Sequence, residues 1–197
     1  MKRTSIKTPL IASLLTLALG GGFALNTVQA ATMSHDSVTV GGQSMLPSKD
    51  IVDNAVNSAD HTTLVAAVKA AGLIDTLKGK GPFTVFAPVN SAFTALPAGT
   101  VDTLLKPENK ATLTKILTYH VVAGKLDMQT LAEKIKAGGG KTELTTVAGG
   151  KLWAMMNGPH NITIKDEKGD VADITTYDVY QSNGVIQVID KVLMPKS

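Results

Sequence analysis

Apolar positions divide the chain into a helical part followed by a strand part. Leu64, Val65, Val68 and Ala71 recur at helical spacing, which predicts an amphipathic helix that ends at Gly72. From residue 141 onward, short alternating apolar runs are separated by glycine-containing turns, a pattern typical of antiparallel strands. Because helices come first and strands follow, the predicted fold class is α+β, in one copy of one domain.

The same patterns predict the remaining elements. Further helices are expected after Pro47, at 73–77, at 100–105, from 107 to about 119, and from Asp127, which is expected to start the last helix. Strands are expected at 83–86, 120–122, 144–147, 151–156, 161–165, 171–175, 178–180 and 185–189. The strand at 185–189 is nearly continuously apolar, so we expect it at the centre of the sheet, pairing near the strand at 83–86.

The segment 84–93 is predicted to organise the domain. Residues 84–86 are β-branched or aromatic, and Pro88 has no N–H for a ladder, so a short strand is expected to end there. Asn90 is a good N-cap for the helical turn that follows, and this turn returns Phe93 towards Phe86. Since large apolar side chains usually lie inside, both phenylalanines are interpreted as core anchors.

The N-terminal region predicts export. Basic residues at 2, 3 and 7 precede an apolar run at 10–25, and small residues at 28 and 30 suit a signal peptidase, so 1–30 is interpreted as a signal peptide. The run of 16 residues is shorter than the ~20 of a spanning helix, which leaves a retained anchor as the alternative. Residues 31–46 are expected to be a flexible lead-in and 47–195 a single domain, secreted or periplasmic in a bacterium.

The charge and the cysteine content exclude several classes of partner and of chemistry. Residues 1–30 carry three basic residues and no acidic one, so the remaining chain has 16 of each and is formally neutral. A neutral chain offers no basic field for nucleic acid or anionic lipid. The absence of cysteine excludes disulfides, a lipid-modified N-terminal cysteine and thiolate chemistry, so stability is expected to come from a packed core.

No pattern of residues predicts an active site. Gly138 to Thr142 ends like a phosphate-binding loop, but Ile135 stands where the first glycine is required and a helix precedes it. The chain has no nucleophile elbow and no zinc-binding histidine pair, and the acidic cluster at 166–173 is interpreted as a solvated turn. Met33 and His35 could bind a soft metal such as copper, but one short cluster is weak evidence and an ordinary tail is the favoured interpretation. The prediction is a non-enzyme without a cofactor.

Three segments together resemble the fasciclin (FAS1) domain. They are 84–93, the pair Tyr119-His120, and 183–195, in matching order and separation, and the resemblance covers about 47–195. The family implies a wedge-shaped β-sandwich with helices packed around it, and adhesion or extracellular partner binding. Val89 stands where the family often has Thr and Gln187 where it often has His. Asn90 is expected to cap in place of residue 89, and Gln187 is expected to point away from the core.

Two functions are therefore compared. The first is an exported adhesion module that binds a protein or extracellular-matrix partner, or its own copy. The resemblance places its candidate contact residues at Tyr119, His120 and the neighbouring turn at 124–127, which ends in Asp127. Tyr119 and His120 could instead only lock a helix to a strand. The second is a carrier of an apolar small molecule such as a pigment or lipid, with Trp153, Met155 and Met156 lining a groove or, alternatively, packing in the core.

Overall fold

The computed structural model describes residues 37–196, in which helices precede most of the strands. The helices are α1 Ile51–Ala55, α2 Thr62–Ala71, α3 Ile74–Leu77, α4 Asn90–Thr94, α5 Thr100–Leu104, α6 Lys110–Tyr119 and α7 Met128–Ala137, with 3-10 turns at Ala59–His61 and Pro107–Asn109. The strands are β1 Val38–Val40, β2 Gln43–Met45, β3 Phe83–Pro88, β4 Val121–Ala123, β5 Lys141–Thr145, β6 Lys151–Met156, β7 Ile162–Lys165, β8 Val171–Gln181 and β9 Gly184–Ile189. The α+β class predicted from the sequence is confirmed.

The main sheet has the strand order β4-β3-β9-β8-β7-β6-β5. Strands β3 and β9 run parallel, from the pair Phe83 and Gly184 to the pair Pro88 and Ile189, so the predicted central pairing is confirmed. The other strand pairs in this sheet are antiparallel. A bridge between Val122 and Thr146 joins β4 to the chain that follows β5, so the curled sheet almost closes into a barrel.

Apolar side chains pack on both faces of the central strands. Phe86 lies inside the curled sheet with Leu131 and Ile135 of α7. Its neighbours Val85 and Ala87 face the other way, into a second core formed with α2 and α6. Because successive side chains of a strand point to opposite faces, a strand covered on both sides is mostly apolar along its length. This arrangement explains the continuous apolar runs of β3 and β9.

Residues 38–45 form a hairpin instead of the expected flexible lead-in. Strand β1 pairs with β2, and the side chains of Val40 and Met45 are buried against the helices. Gly41 and Gly42 make the connection with φ of 58° and 76°, the backbone that a two-residue hairpin turn requires. The Gly-Gly pair between apolar residues was the signal for it. The predicted signal peptide and residues 31–36 lie outside the described residues.

Asn90 caps a different helix from the one predicted. It is the first residue of α4, whose N-cap Val89 makes no side-chain hydrogen bond. The Asn90 Oδ1 accepts from Thr63 N at 3.0 Å, and its Nδ2 donates to Ala59 O at 2.8 Å. Since α2 has no capping side chain of its own, Asn90 satisfies the start of α2 from a distant part of the chain.

Gln187 points into the protein, so the prediction that it faces away from the core is wrong. Its side chain is fully buried because β9 lies between β3 and β8 and is covered on both faces. The amide lies beside a bulge of β8, where Asp178 has φ of 56°. Gln187 Nε2 donates to Asp178 Oδ1 at 2.9 Å and to Leu126 O at 3.1 Å, and its Oε1 accepts from Asp178 N at 3.1 Å.

Replacing Gln187 with Leu should lower the free energy of unfolding by about 1–3 kcal/mol, because buried groups of Leu126 and Asp178 lose their partners. The measurement is urea unfolding followed by circular dichroism. Gln129→Leu is the matched control, since the side chain of Gln129 is exposed on α7. Equal stabilities of the two variants would contradict this role for Gln187.

Candidate functional site

Tyr119 joins the end of α6 to two loops of the sheet. Its ring is fully buried, and its hydroxyl donates to Lys151 O at 2.6 Å and accepts from Glu167 N at 3.0 Å. Gly150 packs against the ring so closely that a Cβ there would lie 2.6 Å from Tyr119 Cε2. Burial raises the pKa of the Tyr119 hydroxyl to about 12, so the group stays protonated and can donate.

His120 joins α6, β3 and the C-terminal segment. The ring is 3% exposed, Nδ1 donates to Ile116 O at 2.8 Å, and Nε2 accepts from Leu193 N at 2.9 Å. These two bonds fix the neutral ring with its proton on Nδ1. The backbone carbonyl of His120 also accepts from Phe86 N at 2.9 Å. Burial lowers the pKa of His120 to about 4, which keeps the ring neutral.

The C-terminal segment is held by hydrogen bonds from its backbone N–H groups to side chains. Besides the bond from Leu193 to His120, Met194 N donates to Asp166 Oδ2 at 2.9 Å and Lys196 N to Glu167 Oε2 at 3.0 Å. Asp166 is only 1% exposed, so the prediction that it belongs to a solvated turn is wrong for this residue. Its other oxygen accepts from the backbone of the β7–β8 turn, which explains how a buried carboxylate is satisfied.

Asp127 lies at the surface, at the start of α7. Its carboxylate caps the helix by accepting from Thr130 N at 2.9 Å, which agrees with the predicted helix start. Partial burial tends to raise its pKa, but hydrogen bonds from Thr130 and Tyr180 and the charge of Lys125 outweigh this, and the pKa lies below its usual value. Lys125 Nζ lies 4.2 Å from the centre of the Tyr180 ring. We call Lys125, Asp127 and Tyr180 the α7-entry patch.

Buried residues hold the loop that carries this patch. Thr84 Oγ1 donates to Gly124 O at 2.7 Å and accepts from Leu126 N at 2.8 Å, so one hydroxyl fixes both sides of Lys125. Gln187 fixes the carbonyl of Leu126, as described above. Thr84 is itself fully buried. The backbone on both sides of Lys125 is therefore anchored to the central strands.

The structure separates the three predicted contact residues into two groups. Tyr119 and His120 are inside, with their polar atoms bonded to the protein's own backbone. Asp127 is partly exposed and neighbours Lys125 and Tyr180. Lys125 lies in the turn at 124–127 that the sequence analysis singled out. Sequence reasoning missed Tyr180, because its association with Lys125 depends on β8 lying beside the β4–α7 loop.

An apolar cavity of about 120 Å³ lies between the helical layer and the central strands. Its lining includes Val52, Val68 and Ile186. His61 also lines it, is 4% exposed and bonds Ser58 Oγ through Nδ1 at 2.9 Å, whereas its Nε2 has no hydrogen-bond partner among residues 37–196. Burial lowers the pKa of His61, and the nearby carbonyl of Ala87 opposes this.

The predicted groove residues lie elsewhere. Trp153 and Met155 are half-buried on the face of β6 opposite to Leu152 and Ala154, which are fully buried in the interior of the curled sheet. Neither Trp153 nor Met155 lines the cavity. The core-packing interpretation is wrong for these two residues, because alternation along β6 put the smaller side chains inside. A groove at Trp153 and Met155, if present, is separate from this cavity.

Two other properties concern metals and membranes. Residues 37–196 contain no cluster of three or more histidine and carboxylate side chains that could hold a metal ion, and the possible metal ligands Met33 and His35 lie outside this range. Within the same residues, every helix is too short or too polar to span a bilayer.

Known proteins are similar to this chain in sequence. A family model of the Fasciclin domain matches residues 59–195. Protein sll1483 of Synechocystis sp. is 46% identical over 180 residues, which cover 88% of this chain and 91% of that protein. The cell surface glycolipoprotein MPB83 of Mycobacterium bovis is 35% identical over 146 residues, which cover 72% of this chain and 58% of that protein.

A solved structure supports the same fold. It contains a FAS1 domain pair from the insect cell adhesion molecule fasciclin I and superposes with a TM-score of 0.55 at 20% identity, covering 72% of this chain and 45% of that one. At this identity the likeness concerns the fold alone. The family-model match and the close sequence relative carry the assignment further: this chain belongs to the fasciclin domain family.

Proposed function

We propose that this chain is an exported, non-enzymatic adhesion module that binds a protein or extracellular-matrix partner through the α7-entry patch. The observation that carries the proposal is that Lys125 and Asp127 stand at the surface on a loop anchored by buried Thr84 and Gln187. Binding is less costly when the contact residues are already ordered, because little conformational entropy remains to be lost.

The chemistry of the patch suits a polar protein surface. It combines a cation, a carboxylate and a tyrosine ring, and tyrosine is enriched at interfaces because it offers a large, rigid contact area with a polar end. The neutral charge of residues 31–197 favours such a partner over nucleic acid or anionic lipid. In this proposal Tyr119 and His120 hold the domain together and do not touch the partner.

Export and adhesion are supported by separate features. The residues at 1–30 have the order of a secretory signal, and a relative is named as a cell surface protein. Membership of the fasciclin domain family supports the adhesion role. We therefore place the mature protein outside the cytoplasm, in the periplasm or medium, with 47–195 as its binding domain.

Lys125→Glu should weaken partner binding about tenfold or more, because it reverses the charge at the patch while leaving the buried anchors intact. The measurement is sedimentation velocity of the mature chain, alone over a concentration series and with extracellular polymer prepared from the producing culture. Lys106→Glu makes the same charge change at an exposed position between α5 and α6. The proposal is supported if the sedimentation coefficient of the unmodified chain and of Lys106→Glu increases on binding and that of Lys125→Glu does not. Equal increases in both variants, or no increase in the unmodified chain, contradict it.

The cavity supports a second candidate, a carrier of an apolar small molecule. Its volume of about 120 Å³ is close to the ~150 Å³ of an apolar cavity that binds benzene. The lining is almost entirely apolar, so it suits a ligand without charged groups. The cavity as it stands holds a small molecule or one end of a longer molecule.

Benzene should raise the melting temperature in a saturable way if the cavity binds apolar ligands, because a ligand that binds only the folded state stabilises it. Val68→Phe should abolish this shift by filling the cavity. Val171→Phe adds the same bulk at the start of β8, outside the cavity lining, and should retain the shift. The carrier proposal fails if benzene has no effect on the unmodified chain, or if Val68→Phe responds as strongly.

A further inference from the structure

The chain contains two Asn–Gly pairs, Asn157-Gly158 and Asn183-Gly184. In such a pair the backbone nitrogen of the glycine can attack Cγ of the asparagine side chain, because glycine has no Cβ to obstruct the approach. The reaction needs a free carboxamide, a free glycine N–H and a backbone that can bend. The two pairs differ in each of these respects.

The pair at Asn183 is locked. Its Nδ2 donates to Leu77 O at 2.7 Å and to Gly79 O at 3.1 Å, and its Oδ1 accepts from Ile51 N at 3.1 Å. Gly184 is buried at the start of β9, and a Cβ there would lie 2.1 Å from Phe83 O. Neither the carboxamide nor the backbone can rearrange without breaking packed contacts.

The pair at Asn157 is open. It lies in the exposed turn at 157–161 between β6 and β7, and Gly158 has φ of 85° with nothing within 4 Å of the place where a Cβ would be. The carboxamide makes one long hydrogen bond, from Nδ2 to Asp173 Oδ1 at 3.4 Å. Within residues 37–196, the Gly158 N–H donates to no acceptor. Asn157 N donates to Asn161 O at 2.7 Å across the turn, so the side chain and the following peptide are the parts that are weakly held here.

We propose that Asn157 is a site of spontaneous deamidation in the folded protein. Gly158 N attacks Asn157 Cγ, the new C–N bond closes a five-membered succinimide, and the side-chain nitrogen leaves as ammonia with the proton of the Gly158 N–H. Water then adds to either succinimide carbonyl and opens the ring. Opening at one carbonyl gives aspartate, and opening at the other gives isoaspartate, so water is the one reactant consumed.

The product changes the charge at this end of the sheet. The Asn157 carboxamide now donates to Asp173, whose backbone N–H donates to Asp190 Oδ1 at 2.8 Å. A carboxylate at 157 would replace that hydrogen bond with repulsion between like charges. Isoaspartate also inserts a methylene into the backbone next to the final β6–β7 pair, Met156 and Ile162. The mature chain, formally neutral before the reaction, gains one negative charge.

The test follows both asparagines in one sample. The full mature chain is held in mildly alkaline buffer, and peptides from successive time points are analysed by mass spectrometry, with an isoaspartyl methyltransferase assay for the isoaspartate product. In the folded chain, Asn157 should convert at least about tenfold faster than Asn183, since local opening is needed at Asn183 alone. In concentrated urea the two rates should become similar. Equal rates in the folded chain, or conversion of Asn183 alone, would overturn the proposal.

Variants give an independent readout by charge. Anion-exchange chromatography of the unmodified chain should show an acidic form that grows with time. Asn157→Gln should remove this form, because attack on the longer side chain closes a less favourable ring. Asn161→Gln changes another exposed asparagine of the same turn, one that precedes Ile162, and should leave the acidic form unchanged. An acidic form that persists in Asn157→Gln would contradict the assignment.

Discussion

The buried pair Tyr119 and His120 is the contact on which the rest of the domain depends. The end of a helix leaves backbone N–H or C=O groups without hydrogen-bond partners. Loops also lack the regular hydrogen bonds that pair the backbone groups of neighbouring strands. Here two adjacent side chains satisfy both kinds of group, since they bind Ile116 of α6, two loops of the sheet and Leu193 of the C-terminal segment. Removing either side chain would leave several buried groups unpaired, so the pair acts as a lock between the helical layer and the sheet.

Buried polar residues elsewhere serve the same purpose. Thr84, Gln187 and Asp166 are almost fully enclosed, and each bonds backbone groups of a loop that has no strand partner. The cost of burying a polar side chain is offset where it completes such a network. The consequence for function is that an ordered surface loop, the one carrying Lys125, rests on fixed anchors within the central strands.

Local sequence patterns predicted the elements whose determinants are local. The fold class, the order of the elements and the central strand pairing were predicted from local features. These are the apolar spacing in α2, the cap of α7 at Asp127 and the apolar run of β9. The roles of Asn90 and Gln187 were not predictable in this way, because their partners lie far away in the chain. For the candidate site, Asp127 and the turn that carries Lys125 were predicted, whereas Tyr180 beside them required the fold.

The most direct test of the lock is the stability of the unmodified chain as a function of pH. The pKa of His120 is about 4 in the folded state and 6.5 in the unfolded state, so the unfolded state binds more protons between these values and stability falls as pH falls. The shift corresponds to about 3 kcal/mol lost between pH 6.5 and 4. Urea unfolding should show this loss in the unmodified chain and in the exposed-site control His160→Gln. In His120→Gln the loss should be smaller by about 3 kcal/mol, and the part that His61 contributes through its own lowered pKa should remain. An equal loss in His120→Gln would contradict the account.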